Sequence, residues 1–410
     1  MYKALMVTSL MPFPAHDGAA VRNWHMFQHL SEKMDVNVFA RTISPPSPDV
    51  IQAASSPSLH FELNNVDRPS LPRKAISAFR LLFSRYPVQV GGYQFTSQRK
   101  ALASLLASTH FDLIQIEPWL SSYWCQIKET GAVTVVSFHN IESELMFRQA
   151  KTEPSIGRRL LKRFDGNRMA CIEASLFHES DLSIVTTDRE QVLLKARFPD
   201  AKIIVAPNGV DCEAVQLLPA SDSKQVLFVG TLDYGPNIDA VTHFVRDILP
   251  ILRSRYRDIS FQVAGSNPGP RIMHLENEPK VQILGFVPDL RPVYEAASVC
   301  VAPLRAGGGS RLKILEAMAY GRPVVSTRLG CEGLLVETGT HLLIADEPEA
   351  FANAVGRILD DSKLRRTLAA NARRFVQTAH CWKSIVDKVF VEFESAIIAR
   401  YCRRPNPHPI

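Results

Sequence analysis

A run of three glycines at residues 307–309 leads into a predicted helix that opens with Ser310, Arg311 and Lys313. The first turn of a helix leaves its N–H groups unpaired, and the helix dipole is positive there, so this arrangement predicts an anion site. The two cations favour a phosphate or a diphosphate. Glu316 lies one turn further on, where a carboxylate is suited to accept hydrogen bonds from hydroxyl groups, as for ribose in dinucleotide folds. The alternative is a bare turn followed by solvated helix residues.

Two polar residues follow predicted strands in the first half of the chain. His139 comes after an apolar run at 133–138, and Glu117 comes after one at 113–116. Ligands of parallel sheets bind beyond the carboxyl ends of the strands, so both are candidate site residues. His139 is either a ligand contact or a satisfied structural histidine. Glu117 either contacts an acceptor or acts as a base, or it closes a strand as an ordinary polar residue.

The elements that must hold these residues follow from an alternation of short apolar runs and longer amphipathic stretches. This alternation is typical of parallel α/β units, and it restarts midway along the chain. We therefore predict two doubly wound domains, residues 1–197 and 198–382. We expect residues 383–410 to form a last helix that packs back on the first domain, followed by a frayed tail. We expect a site shared by two facing domains, in a cleft between them.

Composition excludes several classes of protein. The chain has 410 residues, 46% of them hydrophobic and 21% charged, with a mean hydropathy of -0.03. These values are typical of a globular protein, and no run approaches the roughly 18 apolar residues of a transmembrane helix. Seven scattered cysteines without CxxC spacing predict reduced thiols in a cytoplasmic protein and no metal site. Neither GxxxxGK[ST] nor GxGxxG is present, which argues against an ATPase or a dehydrogenase.

Several short motifs occur in a fixed order along the chain. The helix around Glu316 ends in Leu-Glu-Ala-Met-Ala-Tyr-Gly-Arg-Pro-Val-Val, and weaker motifs lie at 12–22, 137–140, 206–211, 229–232, 285–287 and 301–304. Together they resemble the retaining GT-B glycosyltransferases of group 1, and the stretch at 233–241 is similar to a bacterial branch associated with exopolysaccharide and exosortase systems. The resemblance implies two Rossmann-like domains. It also implies sugar transfer from a UDP- or GDP-sugar to a glycan or lipid-linked hydroxyl in bacterial polysaccharide biosynthesis.

The resemblance implies roles for individual residues. Glu316 matches the glutamate that binds the donor ribose, and Arg311 with Lys313 would hold the diphosphate as its negative charge grows. His139 matches a histidine that contacts the transferred sugar. Phe286 and Val287 would lie beside the base. The other donor-side positions are Gly18, Gly230, Gly308, Gly309 and Ser310, and the acceptor-side candidates are Glu117 and Asn140.

Two features depart from the family pattern. The first glutamate of the family's pair stands eight positions before the second, and Gly308 occupies that place. The arginine and lysine of the usual Gly-Arg-Leu…Lys-Gly pattern are missing from residues 230–237. Arg311 and Lys313 are therefore the remaining candidates for diphosphate cations. The loss of the glutamate keeps open a second interpretation, an inactive GT-B subunit that scaffolds a polysaccharide complex.

A nucleotide-sugar 2-epimerase of the same fold is a third, weaker interpretation. It needs a pair of acids near His139, and only Glu142 and Glu144 offer one. For the transferase, the absence of any Asp-x-Asp pair from the sequence predicts metal-independent activity with no cofactor besides the nucleotide sugar. The resemblance implies retention by front-face attack, with the departing phosphate helping to deprotonate the acceptor.

The positive charge of the chain is concentrated in one segment. From Arg68 to Lys100 there are seven Lys or Arg residues and no Asp or Glu, against a net charge of +6 for the whole chain. This segment either contacts an anionic membrane at the cytoplasmic face of the inner membrane or forms a core-facing helix with a solvated basic side. Residues 158–164 repeat the pattern. The modest net charge predicts no nucleic-acid partner.

Overall fold

The computed structural model describes residues 1–15, 18–42, 46–65, 84, 86–91, 96–306 and 311–403. The chain divides into two units, one made of Met1–Pro207 with Val386–Ile410 and the other of Asn208–Ile385. A parallel sheet forms the centre of each. Among the helices within the described ranges, none combines the length and the hydropathy that a membrane crossing requires.

The first unit contains a seven-stranded sheet with the order β3-β2-β1-β4-β5-β6-β7. Its strands are β1 (Lys3–Thr8), β2 (Asp35–Thr42), β3 (Leu59–Asn65), β4 (Leu113–Ile116), β5 (Val133–Ser137), β6 (Leu182–Val185) and β7 (Ile203–Val205). Strands β4, β5 and β6 are buried at every position, as parallel strands covered on both faces must be. This burial explains their apolar, β-branched composition.

Helices connect these parallel strands. They are α1 (Gly18–Ser31), α2 (Pro48–Ala54), α3 (Val88–Gly91), α4 (Thr96–Ser108), α5 (Trp124–Lys128), α6 (Glu142–Thr152), α7 (Ile156–Glu179) and α8 (Asp188–Arg197), with a 3₁₀ turn at Pro118–Tyr123. Helix α8 begins at a capping box in which Thr187 and Glu190 satisfy each other's backbone N–H groups. The start of α8 is therefore fixed by local sequence.

The second unit contains a six-stranded sheet with the order β10-β9-β8-β11-β12-β13. Its strands are β8 (Gln225–Val229), β9 (Ser260–Ala264), β10 (Val281–Gly285), β11 (Val299–Ala302), β12 (Val324–Ser326) and β13 (Leu343–Ile344). Its helices are α9 (Gly235–His243), α10 (Leu249–Arg255), α11 (Pro270–Met273), α12 (Arg291–Ala296), α13 (Leu312–Ala319), α14 (Pro348–Asp360) and α15 (Ser362–Ala379), with a π-helical turn at Phe244–Ile248 and a 3₁₀ turn at His274–Asn277. Gly321, at a φ of 73°, lies just after α13, where a left-handed residue ends a helix without strain. These two sheets confirm the predicted pair of Rossmann-like domains.

The observed division of the chain differs in detail from the predicted limits at 197/198 and 382/383. Strand β7 pairs with β6 in the first sheet, although the sequence pattern assigns this run to the second half. A strand of three residues carries too short a pattern to indicate which sheet it joins. The last helix, α16 (Trp382–Arg403), begins in the second unit, and its residues from Val386 onward belong to the first.

Ion pairs fix the later turns of α16 within the first unit. Lys33 and Asp387 lie 2.7 Å apart, and Lys202 and Glu392 lie 2.9 Å apart. Arg400 also pairs with a carboxylate of this unit, Asp181. The described part of the C-terminal segment is therefore held against the sheet that the N-terminal residues build.

Candidate functional site

In each sheet the strand order reverses beside the first strand of the unit, and the polar candidates lie there. The reversal falls between β1 and β4 in the first sheet and between β8 and β11 in the second. An open parallel sheet binds ligands outside the carboxyl ends of its strands at such a point. Thr8 and Glu117 lie at the first reversal. Gly230 and the segment that follows Ala302 lie at the second.

Lys313 is held at the end of β8 by Asn237, a side chain to which the motifs assign no role. The Nζ of Lys313 donates to Oδ1 of Asn237 at 2.5 Å, and Nδ2 of Asn237 donates to the carbonyl oxygen of Thr231 at 2.8 Å. The ammonium group also lies 4.5 Å from the ring centroid of Phe228. Burial lowers the pKa of Lys313 to about 7, and the charge of Arg311 adds to this effect. A diphosphate at this point would restore the charge of the ammonium group.

Gly230 provides the space that this pair occupies. A Cβ atom at residue 230 would lie 2.9 Å from Nδ2 of Asn237 and 3.1 Å from Nζ of Lys313. A second close approach lies beside it, because a Cβ at Gly265 would lie 1.9 Å from the carbonyl oxygen of Gly230. Position 265 therefore requires glycine, because the clash is with backbone, whereas a Cβ at position 230 would displace the side-chain ends of Asn237 and Lys313.

Glu316 lies one turn along α13 from Lys313 and is fixed by a tyrosine. The hydroxyl of Tyr294 donates to Oε2 of Glu316 at 3.0 Å, and the Tyr294 ring stacks on Tyr320 with centroids 4.6 Å apart. Burial raises the pKa of Glu316 to about 6, although the hydrogen bond from Tyr294 partly offsets it. The second carboxylate oxygen accepts no hydrogen bond from the described residues. It can therefore accept one from a ligand hydroxyl.

Arg311 is buried and already engaged. Its Nε donates to the carbonyl oxygen of Glu332 at 3.2 Å, and its Nη2 lies 3.6 Å from the Glu332 carboxylate. Its charge lowers the pKa of Lys313 and is partly balanced by the Glu332 carboxylate. Gly308, Gly309 and Ser310, predicted to present backbone amides, lie outside the described residues.

The end of β10 presents an aromatic side chain to solvent. Gly285 has a φ of 66°, which turns the chain sharply after the strand, and Phe286 is 64% exposed. An exposed Phe beside a strand end offers a surface on which a flat ring can pack. Val287, the other predicted base contact, is partly exposed.

Glu117 is saturated with hydrogen bonds at the first reversal point. Its Oε1 accepts from the Thr8 hydroxyl at 2.8 Å and from Nδ2 of Asn23 at 2.7 Å, and its Oε2 accepts from the Ser9 N–H at 3.1 Å. Burial alone raises the pKa of Glu117, but the nearby His139 ring and the hydrogen-bond donors outweigh it and lower the pKa to about 2. A carboxylate engaged in this way is suited to holding its neighbours in place. It joins β1, α1 and β4.

His139 lies against this carboxylate. Its Nε2 is 3.5 Å from Oε1 of Glu117, and the preceding residue, Phe138, is buried and stacked on Phe177 with centroids 4.5 Å apart. The imidazole is therefore fixed by its backbone anchor on one side and by a carboxylate on the other. The structure thus brings together two of the predicted first-domain residues, His139 and Glu117. No sequence motif indicates that Thr8 and Asn23 complete the cluster.

A second carboxyl pair lies buried close by. The hydroxyl of Ser143 donates to Oε2 of Glu173 at 2.5 Å, and its N–H donates to Oε1 at 3.2 Å. Burial, together with the charge of Glu173, raises the pKa of Glu142 to about 8, whereas the neighbouring amide of Asn140 lowers it in part. Burial also raises the pKa of Glu173 to about 7.

The acid that neighbours Glu142 is therefore Glu173, and not Glu144 as the sequence suggested. Glu144 instead pairs with Arg148 at 2.8 Å and with Arg189 at 3.1 Å. No sequence signal marks Glu173, because it lies in the C-terminal half of α7, thirty residues from Ser143. The pair that the sequence offered for an epimerase, Glu142 with Glu144, is therefore replaced in the structure by Glu142 with Glu173.

Gly18 begins α1 and follows residues 16–17, which lie outside the described ranges. In the first turns of this helix the buried Arg22 donates to the carbonyl oxygen of Pro207 at 3.2 Å. The N-terminal turn is thus anchored within the first unit. Among the residues that the structure describes, no group of three or more His, Cys, Asp or Glu side chains could hold a metal ion.

Two family profiles match the chain, and together they cover most of it. Residues 16–214 match Glycosyltransferase Family 4, and residues 223–361 match Glycosyl transferases group 1. A D-inositol 3-phosphate glycosyltransferase of Corynebacterium glutamicum is 23% identical over 379 residues, which is 84% of each chain. An uncharacterized protein of the cps region of Klebsiella pneumoniae is 26% identical over 175 residues. That match spans 41% of this chain and less than half, 45%, of the relative.

Solved structures show the same fold. The sucrose-phosphate synthase of Thermosynechococcus elongatus superposes with a TM-score of 0.72 at 20% identity, covering 97% of this chain and all of the other. HepE of Anabaena, solved with UDP and glucose, superposes with a TM-score of 0.67 at 16% identity over 96% of this chain and all of the other.

Proposed function

This chain belongs to the group 1 glycosyltransferases and has the GT-B fold, and we propose that it transfers a sugar from a UDP- or GDP-sugar to an acceptor hydroxyl. The observation that carries the proposal is the arrangement of Lys313 and Glu316 on one face of α13. One is a cation held by Asn237, and the other is a carboxylate with an oxygen left for a hydroxyl group. A nucleoside diphosphate presents a diphosphate and a ribose, which need these two groups.

The donor binds to the second unit, where each group of the nucleotide has a counterpart. Glu316 accepts a ribose hydroxyl, and the base packs beside Phe286 and Val287. Lys313 holds the diphosphate, together with the backbone amides of Gly308, Gly309 and Ser310. HepE, whose structure contains UDP and glucose, supports this type of donor.

Stabilisation of the negative charge on the leaving group lowers the activation barrier of the reaction. The bond from the anomeric carbon to the diphosphate oxygen breaks, and the negative charge that grows on the diphosphate is stabilised by Lys313 and Arg311. The acceptor hydroxyl attacks the anomeric carbon from the same face, and its proton passes to the departing phosphate oxygen. The configuration is retained, and the protein supplies no metal ion and no covalent nucleophile.

His139 contacts the transferred sugar, and Glu117 holds the imidazole in place. The saturated hydrogen bonds of Glu117 and its lowered pKa suit it to positioning and not to proton transfer. The acceptor is a glycan or lipid-linked hydroxyl in bacterial polysaccharide biosynthesis. The relative from the cps region of Klebsiella pneumoniae supports this assignment.

Ligand binding and donor hydrolysis test the proposal. Purified protein is melted with UDP, GDP, ADP and their sugars, since a ligand that binds only the folded state raises the melting temperature. We expect one nucleoside diphosphate to give the largest shift and its sugar to be slowly hydrolysed without acceptor, equally with and without EDTA. NMR of the first-formed product gives the anomeric configuration. Binding without hydrolysis or transfer would favour the inactive scaffold, and inversion would overturn the retaining mechanism.

A further inference from the structure

Helix α7 changes character after its first nine residues. Residues 165–177 contribute buried side chains to the first unit, including Met169, Leu176 and Phe177. Each residue of 156–164, in contrast, is exposed or partly exposed. Nine residues at 1.5 Å per residue give a helical segment about 13 Å long that contains no buried residue. We call residues 156–164 the exposed end of α7.

Large apolar side chains lie on the exposed end of α7 despite its contact with solvent. Ile156 is 73% exposed, Leu160 62%, Phe164 47% and Leu161 39%. Single exposed apolar residues are common, but a contiguous group of four on one surface marks an interaction site.

The two kinds of side chain on the exposed end of α7 separate onto opposite faces. At about 100° per residue, the four apolar side chains and Gly157 fall within an arc of about 140°. The four basic residues fall within an opposite arc of similar width, and they are Arg158, Arg159, Lys162 and Arg163. No Asp or Glu lies within the segment. This sequence therefore makes a short cationic amphipathic helix.

The positive charge of the segment is only partly balanced. The ammonium group of Lys162 lies 3.0 Å from the carboxylate of Glu153. The guanidinium of Arg159 donates a hydrogen bond to the backbone carbonyl of Glu153 at 2.9 Å. Arg158 and Arg163 are exposed and form no ion pair with the described residues. The surface therefore attracts an anionic partner.

We infer that the exposed end of α7 docks on an anionic lipid surface. A bilayer interface offers both components that this segment needs: acyl chains for the apolar arc and charged headgroups for the basic arc. A free polyanion would satisfy the arginines and leave Ile156, Leu160 and Phe164 in water. The inference is independent of the transfer chemistry, because none of these residues belongs to the donor or acceptor side of the proposed site.

This location differs from the basic segment that the sequence emphasised. Most of the cations between Arg68 and Lys100 lie outside the described residues. Arg99 and Lys100 are described, and they are exposed on α4. They provide a comparison, since they carry two positive charges on the same unit without a group of exposed large apolar side chains beside them.

Co-sedimentation of the full chain with vesicles tests the inference. We expect binding to phosphatidylcholine vesicles that contain about one third phosphatidylglycerol, and loss of binding as salt is raised from about 50 mM to about 500 mM. The triple variant Ile156→Ser, Leu160→Ser, Phe164→Ser and the double variant Arg158→Gln, Arg163→Gln should each bind at least about tenfold more weakly. Circular dichroism and the melting temperature should stay unchanged, because these side chains are exposed.

Matched variants control for loss of surface hydrophobicity and of charge. Val391→Ser with Ile398→Ser removes two exposed apolar side chains from α16, and Arg99→Gln with Lys100→Gln removes two cations from α4. Both should bind vesicles like the unmodified chain. The inference is overturned if the unmodified chain stays in the supernatant. It is also overturned if the α7 variants sediment as the unmodified chain does, or if the control variants lose as much binding.

Discussion

The ammonium group of Lys313 lies 2.5 Å from the side-chain oxygen of Asn237, although the two residues are 76 positions apart in the sequence. The amide of Asn237 is itself oriented by the carbonyl of Thr231. The stretch that contains Asn237 lacks the arginine and lysine of the family pattern. Asn237 therefore fixes the position of the remaining cation on α13 without adding a charge of its own.

The affinity for UDP should fall as the pH rises above about 7. Burial lowers the pKa of Lys313 to about 7, so the unliganded ammonium group loses its proton above that pH. A bound diphosphate needs the charged form, so the dissociation constant should rise towards tenfold per pH unit. Titration calorimetry between pH 7 and 9 measures this. Lys313→Met should bind weakly with a flat profile, and Lys363→Met, an exposed lysine on α15, should behave like the unmodified chain.

Gly230→Ala should weaken UDP binding by about tenfold or more. The new Cβ would approach both Asn237 and Lys313 to about 3 Å and displace the ammonium group. Gly235→Ala is the matched control, since a Cβ there meets nothing within 4 Å. Equal affinities of the two variants in the same titration would show that the position of Lys313 does not matter for the diphosphate.

Glu316→Ala should abolish the preference for ribose and lower turnover by orders of magnitude. A carboxylate that accepts from a ribose hydroxyl contributes about 1.5–3 kcal/mol, so the unmodified chain should prefer UDP over a deoxyribose analogue by about ten- to a hundredfold. The preference should grow as the pH rises through about 6 and be nearly complete about one unit higher, because the pKa of Glu316 is about 6 and only the carboxylate accepts without donating.

Competition between UDP and its 2′-deoxy and 3′-deoxy analogues measures this preference. Glu295→Ala, which removes an exposed carboxylate from α12, is the control and should leave it unchanged. If the Glu316→Ala variant still preferred UDP over its deoxyribose analogues, a group other than Glu316 would bind the ribose.

The fold is largely predictable because buried parallel strands leave a clear pattern. Strand β4 occupies the predicted residues 113–116, since a short uninterrupted apolar run between polar stretches is typical of a strand buried on both faces. The sequence pattern assigns strand β7 to the wrong half because three residues carry no information on their neighbours. The exposure of residues 156–164 could not be predicted from the sequence either. An amphipathic pattern does not show whether the apolar face packs against a core or lies in solvent.

The site is predictable only where its residues are close in sequence. Lys313 and Glu316 stand three positions apart on one helix, so their spacing alone places them on one face. Their partners Asn237 and Tyr294 are 76 and 22 residues away, and only the tertiary structure brings them together. The hydrogen bonds that occupy the Glu117 carboxylate also come from residues distant in sequence, such as Thr8 and Asn23. The sequence position of Glu117 therefore leaves a role as base and a structural role equally open.

The first unit should lose stability between about pH 4.5 and pH 8 because of its buried carboxyl groups. The folded-state pKa of Glu142 is raised to about 8 and that of Glu173 to about 7. Above pH 4.5 the unfolded chain ionises these groups while the folded chain still binds their protons, so the free energy of unfolding falls as the pH rises. The loss should be complete above pH 8.

Glu142→Gln should therefore stabilise the protein at pH 8 by about 2–4 kcal/mol and have little effect at pH 4.5, because glutamine keeps the shape and carries no charge. Urea unfolding at the two pH values measures this. Glu144→Gln is the matched control, since Arg148 and Arg189 lower the pKa of Glu144 and its replacement should give no gain at either pH. A gain from Glu142→Gln that is equal at both pH values would mean that packing, and not the buried charge, limits stability here.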